Sequence, residues 1–150
     1  MQTPVHLIYN FNQEAGLLDS GYDPKLEASM SIEESLEDLK DLHTLAVSFG
    51  TTNASPKHLA RIIVGLAHPD NSPIDPVKAF DKHLDALVIN YGSLFKLGLT
   101  VDQVNRGLTA VMQANLAKLG MPKDEQGKLT KPADFVGPEV ELQKILDERK

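Results

Sequence analysis

Apolar residues recur at helical spacing along most of the chain, and clear punctuation separates the runs. Four times a capping residue precedes proline: Thr3-Pro4, Asp23-Pro24, Ser55-Pro56 and Asp75-Pro76. A Ser, Thr or Asp side chain accepts from the free N–H groups of a first turn, and proline suits the first helical position. Thr100 is a fifth cap ahead of a periodic run. Gly16, Gly50, Gly98 and Gly120 close four of the runs, as helix stops do. The pattern predicts helices over about 4–15, 24–49, 56–67, 76–97 and 101–119, with a short last helix over 138–148. The Pro, Gly and Lys-rich residues 121–137 read as loop. There is no strand-period run, internal repeat or low-complexity tract. The expected fold is all-α: a single domain over 1–150, a helical bundle of about five helices. The two longest helices have wide apolar faces, so a second copy of the chain is expected to complete the core.

One stretch breaks its own pattern. In Ser31-Ile32-Glu33-Glu34-Ser35-Leu36-Glu37-Asp38-Leu39, carboxylates occupy positions where an apolar stripe should continue. At 100° per residue, Glu33, Glu34, Glu37 and Asp41 fall within about 80° of Leu26, on the face that Leu26 and Met30 begin. Ile32, Leu36 and Leu39 form a second apolar face. The helix over 76–97 repeats the anomaly: Asp81 and Asp85 sit at one end of a stripe continued by Val88, Gly92 and Phe95. Carboxylates sharing a bundle face repel and are costly to desolvate. Two readings follow from the spacing. Divalent cations lie between the two helices, Mg²⁺ being suited to oxygen donors. Alternatively, the acids form a rim salt-bridged to Lys40, Lys78 or Lys82. A di-iron bundle would need Glu-x-x-His on facing helices. His6, His43, His58, His68 and His83 show no such pairing and read as surface or packing residues.

Composition narrows the chemistry. There is no cysteine, which removes disulfides, thiolate zinc sites and cysteine nucleophiles. A net charge of −6 with three arginines disfavours a nucleic-acid polymer as partner. No apolar run approaches the roughly 20 residues of a membrane span, so no membrane is expected. The N-terminus lacks a basic region followed by an apolar core. A cytoplasmic location fits these features.

Phosphate-cradling glycine loops and nucleophile elbows are absent from the sequence. If phosphates are bound, side chains and metal do it. Asn115 falls on the apolar face made by Val104, Leu108, Val111, Met112 and Leu119. It reads either as a core amide bonded to a backbone carbonyl or as a ligand contact. Lys118, one turn on, has the reach to meet a phosphate. Lys128 and Lys131 add positive charge to the expected loop, which either covers a phosphorylated substrate or is simply solvated.

Four segments, "IEESLEDL", "DKHLDALVINYG", "QANLAKL" and "GKLTKPADF", together resemble the MazG-like branch of the all-α nucleoside triphosphate pyrophosphohydrolases. They also resemble the related phosphoribosyl-ATP pyrophosphohydrolase-like proteins. The resemblance spans about residues 11–146, in matching order and spacing. The family's E-E-x-x-E motif corresponds to Glu33, Glu34 and Glu37, which the resemblance implies are catalytic, with Glu34 and Glu37 as Mg²⁺ ligands. The second motif is E-x-x-D, with a D-x-x-x-D variant. Asp85 matches its last residue, Lys82 stands where the first Glu should be, and Asp81 supplies a carboxylate through the variant. That departure leaves the number of metal ions open. The family's N-x-x-K corresponds to Asn115 and Lys118, implied to bind substrate phosphates. Lys131-Pro132 matches a segment that folds near the site.

The resemblance implies hydrolysis of a (deoxy)nucleoside triphosphate between the α and β phosphates, giving a monophosphate and pyrophosphate. It also implies homodimers or tetramers in which one subunit completes another's site. Three alternatives stay open: a phosphoribosyl-ATP pyrophosphohydrolase, a dUTP-selective enzyme and a non-catalytic helical interaction protein. Phe11, Asn12 and Gln13 stand as either base contacts or packing and surface residues.

Overall fold

Every helix whose start is marked by a capping residue and proline begins at that proline in the computed structural model, which describes residues 2–68 and 73–149. Helix α1 is Pro4–Glu14, α2 Pro24–Leu36, α3 Leu42–Ser48, α4 Pro56–Ala67, α5 Pro76–Lys96, α6 Val101–Leu116 and α7 Glu139–Asp147. The fold is all-α. Asp23 Oδ1 accepts from the N–H groups of Lys25 and Leu26 at 3.0 and 3.3 Å. Thr100 and Gln103 form a reciprocal capping box at the head of α6. Gly98 takes φ 88° just beyond α5, a conformation open to glycine at little cost.

One expectation fails. The helix predicted over 24–49 is two helices, α2 and α3, broken at residues 37–41. The reason lies in the acidic run itself. Glu33, Glu34, Glu37 and Asp38 crowd the C-terminal end of α2, where the helix dipole disfavours negative charge, and no basic residue offsets them. Asp41 then starts α3 as its N-cap. Its Oδ1 accepts from the Thr44 N–H at 2.9 Å, and its Oδ2 from the Thr44 hydroxyl at 2.7 Å. These bonds, the backbone one first, hold the Asp41 carboxyl below its ordinary pKa. Asp41 therefore does not continue the α2 face. Leu39, placed on the second apolar face by the wheel, lies past the helix end and is exposed.

The chain divides into two compact units, Tyr22–Pro76 and Met1–Gly21 with Val77–Lys150. In the first, α2 packs on α4. Its core is Leu36, Ala46, Leu59 and Ala60, lined by Ile32, Leu42, Leu45, Phe49, Ala54 and Ile63. The break after α2 matters here, because α3 contributes Leu42, Leu45 and Ala46 to that core.

In the second unit, α6 is the central element, with α1 and α7 packed on it. Val104, Ala110, Met112 and Ile145 are buried there. Polar bonds fix α7: Gln103 Nε2 donates to the Ile145 carbonyl at 3.4 Å, and Arg106 donates both ends of its fork to the Glu148 carboxylate at 2.7 Å. Arg149 closes the join to the end of α5 by donating to the Leu97 carbonyl at 2.9 Å. The loop expected over 121–137 is loop. It is ordered by a single antiparallel bridge between Lys123 and Leu129 and by Asp124, which accepts from the N–H groups of Gln126 and Lys128. Helix α5 belongs to this unit, yet none of its residues is buried.

Candidate functional site

The sequence-predicted residues fall into three groups. The first is the acidic end of α2. Glu33 is half-buried, while Glu34 and Glu37 are exposed. Glu37 is the C-cap, still in right-handed helical geometry, with its N–H donating to the Glu33 carbonyl at 3.3 Å. Glu34 and Glu37 therefore remain one turn apart along a helix edge that faces water.

The second group is Asp81 and Asp85, on consecutive turns of α5 and both exposed. They belong to the other compact unit from the α2 acids. Among the described residues, no set of three or more His, Cys, Asp or Glu side chains is gathered in a metal-holding arrangement. The histidines are exposed or half-buried. His6 pairs with the Thr3 hydroxyl at 2.8 Å, and His58 with Thr51 at 3.4 Å.

The third group does come together. Lys118 Nζ donates to Asn115 Oδ1 at 2.7 Å, and Asn115 Nδ2 points at Met112 Sδ, 3.8 Å away. Asn115 is thus held by the lysine one turn on. Lys118 Nζ also lies 5.2 Å from the centre of the Phe135 ring, and Lys131 Nζ lies 5.3 Å from the same centre. Both ammonium groups are within cation–π range of one half-buried aromatic ring. This cluster joins the end of α6 to the segment after the bridge. Its positive charge is concentrated in a chain whose net charge is −6.

Phe135 is the residue that sequence reasoning missed. It lies in a loop, where no periodicity assigns a face. The one available signal was an aromatic four residues after Lys131 in a segment otherwise poor in apolar groups. A turn brings it back, with the Phe135 N–H donating to the Pro132 carbonyl at 3.1 Å.

Pro132 and Phe135 also line a cleft of about 1110 Å³ beside Asn105, Arg106 and Thr109 of α6. Asp102, Asp134 and Glu141 make its walls acidic, and none of the sequence-predicted site residues lines it. Arg106 is occupied there by Glu148 and, at 3.7 Å, by Asp102. The Arg106 fork holds the Glu148 carboxyl below its ordinary pKa. The cleft thus favours neutral or cationic groups, and the Lys118–Lys131 cluster favours anions. Among the described residues, no single helix is long and apolar enough to cross a membrane. Comparison with protein-family models, with curated proteins and with solved structures finds no match to this chain.

Proposed function

We propose that the protein is a Mg²⁺-dependent nucleoside triphosphate pyrophosphohydrolase, converting a (deoxy)nucleoside triphosphate and water to the monophosphate and pyrophosphate. The observation that carries the reading is the pairing of Lys118 with Asn115, and of Lys118 and Lys131 with one ring. These residues belong to two of the segments that resemble the family. They make a pre-organised cationic contact suited to a phosphate chain.

The donor chemistry at the end of α2 fits Mg²⁺. That ion takes one or two carboxylates and fills its shell with water and phosphate oxygens. Two exposed carboxylates a turn apart, Glu34 and Glu37, offer such a hold, and Asp81 and Asp85 are the further candidates. When bound, the ion supplies charge neutralisation of the triphosphate. Glu33, half-buried beside them, is assigned the general base that takes a proton from the attacking water. Lys118 and Asn115 bind the leaving pyrophosphate, with Lys131 as a second positive charge. Catalysis in this scheme rests on positioning and charge stabilisation.

Glu34→Gln tests the assignment. The side chain is exposed, so the unfolding midpoint should not move. Mg²⁺-dependent pyrophosphate release should fall about 100-fold or more, as when one electrostatic contributor is removed. Unchanged turnover in that variant would remove Glu34 from the reaction. A second reading, a non-catalytic helical interaction protein, is favoured by the exposed apolar residues of α5 and by Lys82 in place of a carboxylate. Lack of any Mg²⁺-induced rise in stability would support it.

A further inference from the structure

Phe135 has no part in the reaction as assigned, yet two of the assigned cations sit against its ring. Lys118 Nζ lies 5.2 Å from the ring centre and Lys131 Nζ 5.3 Å. Both charges are about 5 Å from one point, so they stand within about 10 Å of each other, the screening length at 0.1 M salt. Like charges at that range repel. The negative π-face of an aromatic ring attracts both ammonium groups and offsets the repulsion. Asn115, Lys118, Lys131 and Phe135 all belong to one compact unit.

The two lysines are held differently. Lys118, just past the end of α6, is half-buried and also donates to Asn115 Oδ1 at 2.7 Å. Lys131 is exposed, and among the described residues the Phe135 ring is its only hydrogen-bond, ion-pair or ring partner. The backbone brings ring and ammonium together. Pro132 restricts Lys131 before it, and the Phe135 N–H donates to the Pro132 carbonyl at 3.1 Å. The place of Lys131 therefore depends on Phe135 more than that of Lys118 does. Its three N–H donors stay available to a ligand.

We propose that Phe135 is a positioning residue: its ring holds Lys118 and Lys131 together as one receptor for linked phosphates, taking di- and triphosphate chains in preference to a single phosphate. This rests on the assignment of both lysines to phosphate in the proposed reaction and adds what sets their spacing. The selectivity follows from linkage. Once one phosphate meets Lys118, a second joined to it reaches Lys131 intramolecularly, at high effective concentration. A lone phosphate gains no such second contact. Fixing both cations beforehand also lowers the ordering cost of binding.

Calorimetry on the full chain without metal, with tripolyphosphate and orthophosphate as probes, tests this. Wild type should bind tripolyphosphate at least about tenfold more tightly than orthophosphate. Phe135→Leu keeps an apolar side chain; it should lose about that factor for tripolyphosphate and leave orthophosphate unchanged. Phe135→Tyr keeps a ring and should bind as wild type does. Lys131→Met in the Phe135→Leu background should cost little more, because a lysine without its ring is already lost to the site. A spectroscopic signature needs no change at Phe135. The Hε protons of Lys118 and Lys131 should be displaced by the ring in the NMR spectrum, each assigned by its loss in the arginine variant. No preference for tripolyphosphate, full binding in Phe135→Leu, loss in Phe135→Tyr, additive losses in the double variant or undisplaced Hε signals would each overturn the proposal. Nucleotide hydrolysis with unaltered binding in Phe135→Leu would sink this role and leave the catalytic reading standing. Phe135-dependent binding of tripolyphosphate without hydrolysis of any nucleotide would do the reverse.

Discussion

Leu59 is fully buried at the junction of α4 with α2 and α3, with Ala46 and Ala60 equally buried beside it. Leu59→Ala removes about 2 kcal/mol of transfer free energy from the missing carbons alone. A cavity term adds to it, because Leu59 is fully buried in a packed cluster with Leu36, Ala46 and Ala60 that relaxes only in part around the missing carbons. Leu→Ala substitutions in such cores cost about 3–5 kcal/mol, and this site belongs in that range. The unit from Tyr22 to Pro76 holds roughly 55 residues. At about 0.05–0.15 kcal/mol per residue its own stability is on the order of 3–8 kcal/mol. The substitution therefore takes away about a third of that stability or more, and loosens the helix carrying Glu33, Glu34 and Glu37. Urea unfolding followed by far-ultraviolet circular dichroism reads the loss. Hydrogen exchange by mass spectrometry locates it, with protection falling across 24–36 and 56–67. Leu59→Met keeps the volume and should cost less than about 1.5 kcal/mol. A Leu59→Ala loss under about 1 kcal/mol, or equal damage from Leu59→Met, would refute the core assignment.

Three further outcomes follow from named groups. Ser29 is buried, and its hydroxyl has no hydrogen-bond partner among the described residues; Ser29→Ala should leave urea stability unchanged or raise it by up to about 1 kcal/mol, and a marked loss would reveal a partner. Glu148 has its folded pKa depressed by the Arg106 hydrogen bonds, so its contribution is fully present above the ordinary carboxylate range and fades as pH falls through the folded value. Acid titration of helicity should therefore show wild type losing stability below about pH 4.5, with a shallower acid limb in Glu148→Gln; parallel limbs would contradict the linkage. Lys118→Met should raise KM for the triphosphate about tenfold or more, the worth of a hydrogen bond to a charged group, with no change in helicity. An unchanged KM would take Lys118 out of the phosphate site.

The helix starts were legible because the signals are local. A capping oxygen followed by proline acts within one turn, and Pro4, Pro24, Pro56 and Pro76 all begin helices. The break at residues 37–41 was written in the same alphabet and was overlooked. Asp41 followed three residues later by Thr44 is itself a start signal, and a wheel drawn through it assumes a continuity that it denies. The acidic anomaly was visible as a departure from period. Its meaning depends on which side chains meet across elements, which spacing within one helix does not encode. Asn115 was singled out because a polar residue on an apolar face is conspicuous, and Lys118 because it lies one turn on at the edge of that face. Phe135 was not, because only the turn after Pro132 brings it between two lysines. The apolar stripe of α5 was read correctly as wide. None of its residues is buried among the described residues.

The central claim is a chemical one, so the most direct measurement is product identity. The full chain with Mg²⁺ would be incubated with a panel of deoxynucleoside and nucleoside triphosphates and with phosphoribosyl-ATP. Monophosphate and pyrophosphate would then be quantified together. Both should form in equal amounts from at least one nucleoside triphosphate, without free orthophosphate, and chelating the metal should stop the reaction. No release from any member of the panel, or release of orthophosphate in place of pyrophosphate, would contradict it.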